Sequence, residues 1–278
     1  MPAVVIDALP SCAAGYVDDW TIVVVDVIRF TTTATTALSM GRKAYPARSS
    51  DQAFALAAKL PSPLLAGELG GNIPYGFDMT NSPVAVASLG QVPCGNFTSP
   101  ERPLVLVSSS GSQLLLNSAY AKDVYLGCLR NLTALTEYLA PRHDKIAVLG
   151  AGTRGAFRRE DQLCCAWIAE RLHNKGFEFE NQKTSDLVDR WHGESPSVIR
   201  DGRSADYLKR TGQVHDLEFV LHYREDLMVV PRLAEEGYLK DAAADAFFAV
   251  SRSMPDQPKL REIVSNTNIP IKPQRVCR

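Results

Sequence analysis

The sequence predicts an α/β fold, a largely parallel sheet covered by helices in a three-layer α/β/α arrangement with its substrate loops at the strand carboxyl ends. Three observations carry this expectation. Short β-branched apolar runs alternate with segments whose apolar residues recur at i, i+3 and i+4. Stop and cap residues stand between the two patterns. Small hydroxyl residues, glycines and carboxylates gather directly after the runs, where open α/β sheets bind their ligands.

Strands are expected at Val4 to Ile6 and Thr21 to Ile28, then a helix over Thr35 to Met40 that Gly41 stops. A strand at Lys43 to Ala47 leads through the cap Ser49-Ser50-Asp51 into a helix over Asp51 to Leu60, ended by Pro61. Leu64 to Ala66 and Leu104 to Ser108 read as strands, Gln113 to Ala119 as a helix, Val124 to Gly127 as a strand. Asn131 caps a helix over Leu132 to Leu139, and Lys145 to Leu149 is the next strand. The following helix shows its apolar spacing from Leu163, Trp167 and Ile168 onward. From about residue 177 the pattern loosens, leaving short helices at Ala205 to Lys209 and Leu217 to His222 and a strand at Met228 to Val230. With no fixed-period repeat and no low-complexity linker, residues 1–278 read as a single catalytic unit with a looser C-terminal portion.

Composition excludes several classes. A net charge of -1 over 278 residues, without a basic stripe, argues against a nucleic-acid partner. The N-terminus MPAVVIDALP lacks a basic region before an apolar segment, and no uncharged run approaches the ~18 residues a membrane span needs. Six cysteines, Cys12, Cys94, Cys128, Cys164, Cys165 and Cys277, show neither C-x-x-C pairs nor disulfide-scaffold density, so a reducing cytoplasm is expected. Cys165 and Arg171 would sit almost two turns apart on one apolar helix, which is no phosphate-cradling loop, and Cys164 and Cys165 are expected to be buried packing residues. D-x-D-x-T fails at Ile28, and the five histidines have no zinc-ligand spacing.

GAGTRG, Gly150 to Gly155, matches G-x-G-x-x-G. A dinucleotide turn needs the last glycine to open the helix, yet Ala156-Phe157-Arg158-Arg159 intervene before Glu160 and Asp161. Other strand ends carry DVIRFTTT (Asp26 to Thr33), GELGG (Gly67 to Gly71) and SSSGS (Ser108 to Ser112), whose small residues suit a phosphate. Asp26 stands in an apolar strand, where an unpaired carboxylate is costly to bury, and is therefore a functional candidate. The loop Gly67 to Pro83 contributes Glu68 and Asp78, hard oxygen donors of the kind Mg²⁺ takes.

Taken together, DVIRFTTTATTAL, GELGG followed by GFDMTNSP, SSSGS and GAGTRGAFRREDQLC resemble, in order, the signatures of the 2-phosphosulfolactate phosphatase family, Mg²⁺-dependent α/β enzymes. The resemblance runs from about Asp26 to Cys164, and more faintly to Met228-Val229-Val230-Pro231. It implies hydrolysis of a small phosphorylated acid or polar phosphate ester. Mg²⁺ would be held by Glu68, Asp78 and Asp161. Arg29 and the N–H groups around Ser110, Gly111 and Ser112 would stabilise charge. Asp26 would act as general base or nucleophile beside Glu160. Thr31, Thr32, Asn81, Arg154 and Arg158 would contact the substrate. The family has an arginine where Leu69 stands, Thr-Thr-Asn-Gly-Thr-Arg in place of Ser108 to Gln113, and F-S-L-E-D in place of Phe157 to Asp161. Two cations are lost and two, Arg158 and Arg159, gained, which implies a substrate displaced from 2-phosphosulfolactate. The alternative is a catalytically silent protein that binds an anionic metabolite in the same loops; the carboxylates favour the enzyme, because they would repel an anion in the absence of a metal. Self-association into a homo-oligomer is left open.

Overall fold

Alternation along the strands decides which layer each side chain enters. The structure, a computed structural model, describes residues 1–70, 72–89 and 102–244. Gly71, Cys94, Cys277 and the part of the expected single unit beyond residue 244 lie outside the described residues. In β1 (Ala3–Ala8) and β2 (Thr21–Val25), Val4, Ile6, Val23 and Val25 enter one buried cluster, while Val5, Ile22 and Val24 enter another on the opposite face. The two clusters are the two helix–sheet interfaces of the three layers.

One face is covered by α1 (Phe30–Ser39), α3 (Pro83–Ser88) and α4 (Gly111–Asn117), which contribute Phe30, Ala34, Val86, Leu114 and Leu115 to the core. The other is covered by α5 (Leu132–Leu139), α6 (Arg159–His173), α7 (Gln182–Trp191), α8 (Arg203–Arg210) and α9 (Val214–His222). Here α2 (Ser50–Ala57) closes a smaller cluster over β3 (Ala44–Ala47), β4 (Leu64–Gly67) and β5 (Leu104–Val107). Cys164 and Cys165 are fully buried, and burial pushes both thiols up from their ordinary range.

The remaining strands, β6 (Val124–Gly127), β7 (Lys145–Gly150), β8 (Glu178–Phe179), β9 (Pro231–Leu233) and β10 (Leu239–Asp241), complete a ten-stranded sheet of order β4-β5-β3-β10-β9-β6-β2-β7-β1-β8. It is two parallel blocks joined by an antiparallel hairpin. β9 pairs with β6 at Tyr125 and Arg232, and β10 pairs with β3 at Leu239 and Ala44. The carboxyl ends of the two blocks nevertheless meet, since the Ser108 hydroxyl after β5 donates to Asp26 after β2 at 3.3 Å. Three antiparallel joins would place those ends on opposite edges of a flat sheet, so the meeting requires the rotation that strand twist accumulates, roughly 20–25° per neighbour.

Several elements depart from expectation. α1 starts at Phe30 rather than Thr35, because the buried threonines that lower helix propensity return their hydroxyls to the chain: Thr31 to Asp26 O (2.9 Å), Thr32 to Val27 O (2.8 Å) and Thr35 to Thr31 O (2.7 Å). The strand expected at Met228 to Val230 is displaced to Pro231–Leu233; Met228 is exposed, and the Val230 amide is taken by Asp241 Oδ1 at 2.9 Å. α3 and α7, unread in the sequence, both carry readable caps, Ser82 to the Ala85 amide and Asn181 to the Thr184 amide. Residues Met1–Ala243 form one compact unit. No helix among the described residues is long and apolar enough to cross a membrane.

Because Cys164 fills space and faces no solvent, Cys164→Ala should cost about 1 kcal/mol in urea denaturation and leave turnover within a factor of ~3. A folded Cys164→Ala protein without turnover would overturn the packing role.

Candidate active site

Polar residues after β2, β4, β5 and β7 surround a cleft of about 890 Å³, closed on its far side by α8. Asp26 stands at its floor, where the apolar strand ends, only 7% exposed. Burial, then the charge of Glu160, pushes its carboxyl up to about 6, against the pull of the Ser108 hydroxyl and the Phe30 and Gly111 amides. Gly111 is needed for this contact: a Cβ there would lie 2.2 Å from Asp26 Oδ2 and 2.6 Å from Phe30 Cβ.

Arg29 lies three residues on, buried yet lining the cleft. One guanidinium nitrogen, Nη1, donates to Asp216 Oδ2 at 2.5 Å and to Gln213; the other, Nη2, pairs with Glu68. Asn81 lines the cleft with an amide oxygen that has no partner among the described residues. Arg154 and Arg158 reach it from the loop after β7, and Arg158 Nε is likewise unpartnered. The GAGTRG loop is a tight turn: Thr153 and Ala156 exchange backbone hydrogen bonds of 2.9 and 3.1 Å around Arg154 and Gly155, both at positive φ. α6 begins only at Arg159, so the helix does not open on the last glycine of the motif.

Beneath the cleft lie Glu160 and Asp161, both almost completely buried, with carboxyls raised first by burial. Asp161 is raised further by the charges of Glu160 and Asp26. Glu160 Oε2 has no hydrogen-bond partner among the described residues. Above this negative floor the rim is cationic: Arg29, Arg154, Arg158, Arg203, Lys209 and Arg210 line the cleft against Asp26, Glu68 and Asp206.

Several expected roles are corrected. Thr31 and Thr32 do not contact the cleft, because their buried hydroxyls are committed to backbone carbonyls. The Ser112 hydroxyl is likewise spent on Ser108 O at 2.8 Å and the Ser108 amide at 3.0 Å. The Ser110 and Gly111 amides donate to Ser108 Oγ at 3.4 and 3.2 Å rather than forming an open nest, although Ser110 lines the cleft. The set Glu68, Asp78 and Asp161 is not assembled as a metal site. Asp78 is exposed at the sheet edge and accepts the Leu65 amide at 2.8 Å, where β4 is still entering the sheet. Asp161 accepts the Val27 amide at 2.9 Å and the Gly152 amide at 3.3 Å, bracketing β2 to β7, and does not line the cleft. Among the described residues no three carboxylate, histidine or cysteine groups converge on one point as a metal cage. Mg²⁺ does not require a cage, being commonly held by one or two carboxylates with water and substrate phosphate, and Glu68, cleft-facing with its side chain 23% exposed, fits that donor chemistry.

Ser108, read in the sequence only as part of SSSGS, and residues unread there complete the site. Ser108 holds Asp26, and Asp216 and Gln213 hold Arg29; Arg203, Ser204, Lys209 and Arg210 line the cleft from α8. Asp216 could have been found by the reasoning that singled out Asp26. It is a carboxylate beside Leu217 and Val220, on the buried face of its helix.

The family model described as 2-phosphosulpholactate phosphatase matches residues 10–236. A 2-phosphosulfolactate phosphatase from Methanothermobacter thermautotrophicus is 31% identical over 200 residues, 72% of this chain and 80% of its own. A protein named probable 2-phosphosulfolactate phosphatase from Deinococcus radiodurans is 33% identical over 201 residues, 70% of this chain and 80% of its own. One of the same name from Synechocystis is 29% identical over 245 residues, covering 84% and 94%.

Gly111→Ala should abolish measurable turnover and destabilise the fold by on the order of 2 kcal/mol, because its Cβ overlaps Asp26 and Phe30 and neither can withdraw from the core. Turnover at the wild-type rate in Gly111→Ala would show that Asp26 is not held as described. The second expectation concerns pH. The Asp26 carboxyl is raised from 3.8 to about 6 in the fold, so the folded protein keeps a proton that the unfolded chain has already released. The resulting stability is full below about pH 4 and lost as pH rises through about 6. Asp26→Asn should therefore gain on the wild type by on the order of 2 kcal/mol between pH 4.5 and 7.5 in chelated buffer. Parallel melting curves whose separation does not change with pH would contradict a strained Asp26.

Proposed function

The chain belongs to the 2-phosphosulfolactate phosphatase family, and from that premise we propose that it hydrolyses a small phosphate monoester bearing a further acid group, with Mg²⁺ as cofactor and a preferred substrate displaced from 2-phosphosulfolactate itself. The observation that carries this reading is the cleft's charge pattern, six cations around a buried carboxylate whose proton affinity lies near neutrality.

Asp26 is suited to proton transfer because its carboxyl, at about 6, is matched to a reaction near neutral pH. It takes the proton of the attacking water. Glu160, buried below, raises Asp26 by its charge and is a positioning group rather than a contact. Arg29 presents its Nη2 edge to a phosphoryl oxygen, and Arg154 and Arg158 grip the second acid group. Asn81 supplies an acceptor for a substrate hydroxyl. Mg²⁺ held through Glu68 would neutralise phosphoryl oxygens as charge builds on them.

Of the changed residues, Arg158 is the one that supports a displaced substrate. Leu69 and Gln113, which occupy arginine positions of the family, do not line the cleft, and Gln113 donates to Arg48 O at 2.7 Å. Of the two gained cations, Arg158 lines the cleft, while Arg159 lies in a neighbouring one, its Nη1 3.4 Å from Val198 O. The cationic grip therefore comes from the loop after β7 and from α8. Cytoplasmic residence is suited by four free cysteines among the described residues.

A panel of phosphate esters assayed for released phosphate tests the reading. Esters of hydroxy acids should exceed glycerol phosphate by ~10-fold or more in kcat/KM, with another phosphorylated acid ahead of 2-phosphosulfolactate. EDTA should silence the protein and Mg²⁺ restore it. Arg158→Ala should raise KM ~10-fold with little change in kcat, as loss of uniform binding does. Tight binding of such acids without phosphate release under any metal would instead identify an anion-binding protein.

A further inference from the structure

The two carboxylates that hold Arg29 differ in a way that assigns them different tasks. Asp216 is fully buried, and both of its oxygens are engaged: Oδ2 with Arg29 Nη1 at 2.5 Å and Oδ1 with the Ser82 hydroxyl at 2.5 Å. Glu68, on the other edge of the guanidinium, has a side chain 23% exposed and lines the cleft, which Asp216 does not. Withdrawing a partner from a buried, fully bonded charge pair leaves an uncompensated charge in the interior, whereas a partly solvated carboxylate exchanges its cation for water at small loss. The Asp216 contact is therefore permanent and the Glu68 contact replaceable.

We infer that Asp216 is a positioning residue that, through Arg29, aims the exchangeable Nη2 edge of the guanidinium into the cleft, where a phosphoryl oxygen takes the place of Glu68. Asp216 itself touches no substrate. It reaches Arg29 from α9, near the C-terminal end of the described chain, while the Ser82 hydroxyl that holds its other oxygen also caps α3. Arg29, Ser82 and α9, far apart in sequence, thus meet at one carboxylate. His215 Nε2, 4.0 Å from Asp216 Oδ1, is a second basic group near this carboxylate. The inference rests on the reading that Arg29 grips the phosphoryl group, and the test separates the two.

With the Mg²⁺-loaded protein and 2-phosphosulfolactate as substrate, Asp216→Asn should lower kcat roughly 30-fold with KM changed less than ~3-fold, since a misaimed arginine fails mainly where transition-state charge develops. Asp216→Glu should recover part of that loss. In an Arg29→Ala background, Asp216→Asn should add less than a ~3-fold further loss, because residues acting through one group are not additive. Titration with vanadate, a mimic of the phosphoryl transition state, should show weaker binding to Asp216→Asn than to the wild type. Should Asp216→Asn not fold, Asp216→Glu carries the same comparison, because it keeps the charge and moves the carboxylate by one methylene. Wild-type kinetics in a folded Asp216 variant, or a full additional loss in the Arg29→Ala background, overturns the inference. Full activity of Arg29→Ala overturns instead the role given to Arg29.

Discussion

Negative charge buried where two parallel strands end is the constraint around which this protein is organised. Asp26, Glu160 and Asp161 lie together under one cleft, each raised in proton affinity first by loss of water, and Asp26 and Asp161 also by a neighbouring carboxylate. Such a group is unfavourable unless hydrogen bonds and cations compensate it. For Asp161 and Asp26 the compensation is visible. Asp161 is satisfied by the Val27 and Gly152 amides, so it joins β2 to β7 at the level of the site. Asp26 is satisfied by Ser108 and by amides that only a glycine at position 111 can bring close enough.

Cations above the floor answer the same charge at longer range. Arg29 is the one fixed most firmly, held between Asp216 and Glu68 with its guanidinium almost withdrawn from solvent. Arg154 and Arg158 stand on a loop whose tight turn needs positive φ at two consecutive residues, and α8 supplies the rest. A cleft that is negative below and positive above suits the polyanion proposed as substrate: its oxygens would meet the arginines while its reacting centre faced Asp26. The fold carries this pattern at the carboxyl edge of the sheet because that is where loops from strands distant in sequence converge.

Much of this was legible in the residues. The strands alternate apolar side chains into two layers and are apolar on both, so they are conspicuous; α2 announces itself by its Ser49 cap and α5 by its spacing, whereas Asn131 gives its side chain to Cys128, Leu126 and Val229 and does not cap α5. Asp26 was conspicuous because a carboxylate in a valine-rich strand has no inexpensive structural explanation. The threonines after it misled for a physical reason: hydroxyls that bond back to carbonyls four or five residues earlier look, in sequence, like hydroxyls free for a ligand. Asp78 misled because a loop carboxylate can turn either to the ligand or to a backbone amide, and only the path of the loop past Leu65 decides which.

Sequence by itself determined the fold class, the strand ends whose residues line the cleft and the family, since local periodicity and short motifs depend on neighbours in the chain. Tertiary structure alone decided which of those polar residues face the cleft and which serve the backbone. It brought Asp216 and Gln213 to Arg29, and Ser108 to Asp26, across separations of 187, 184 and 82 residues. It also placed the β9–β10 hairpin between the two parallel blocks. A hydrogen bond acts over about 3 Å, and no local pattern records which distant atom will fill that distance once the sheet has twisted and the helices have packed.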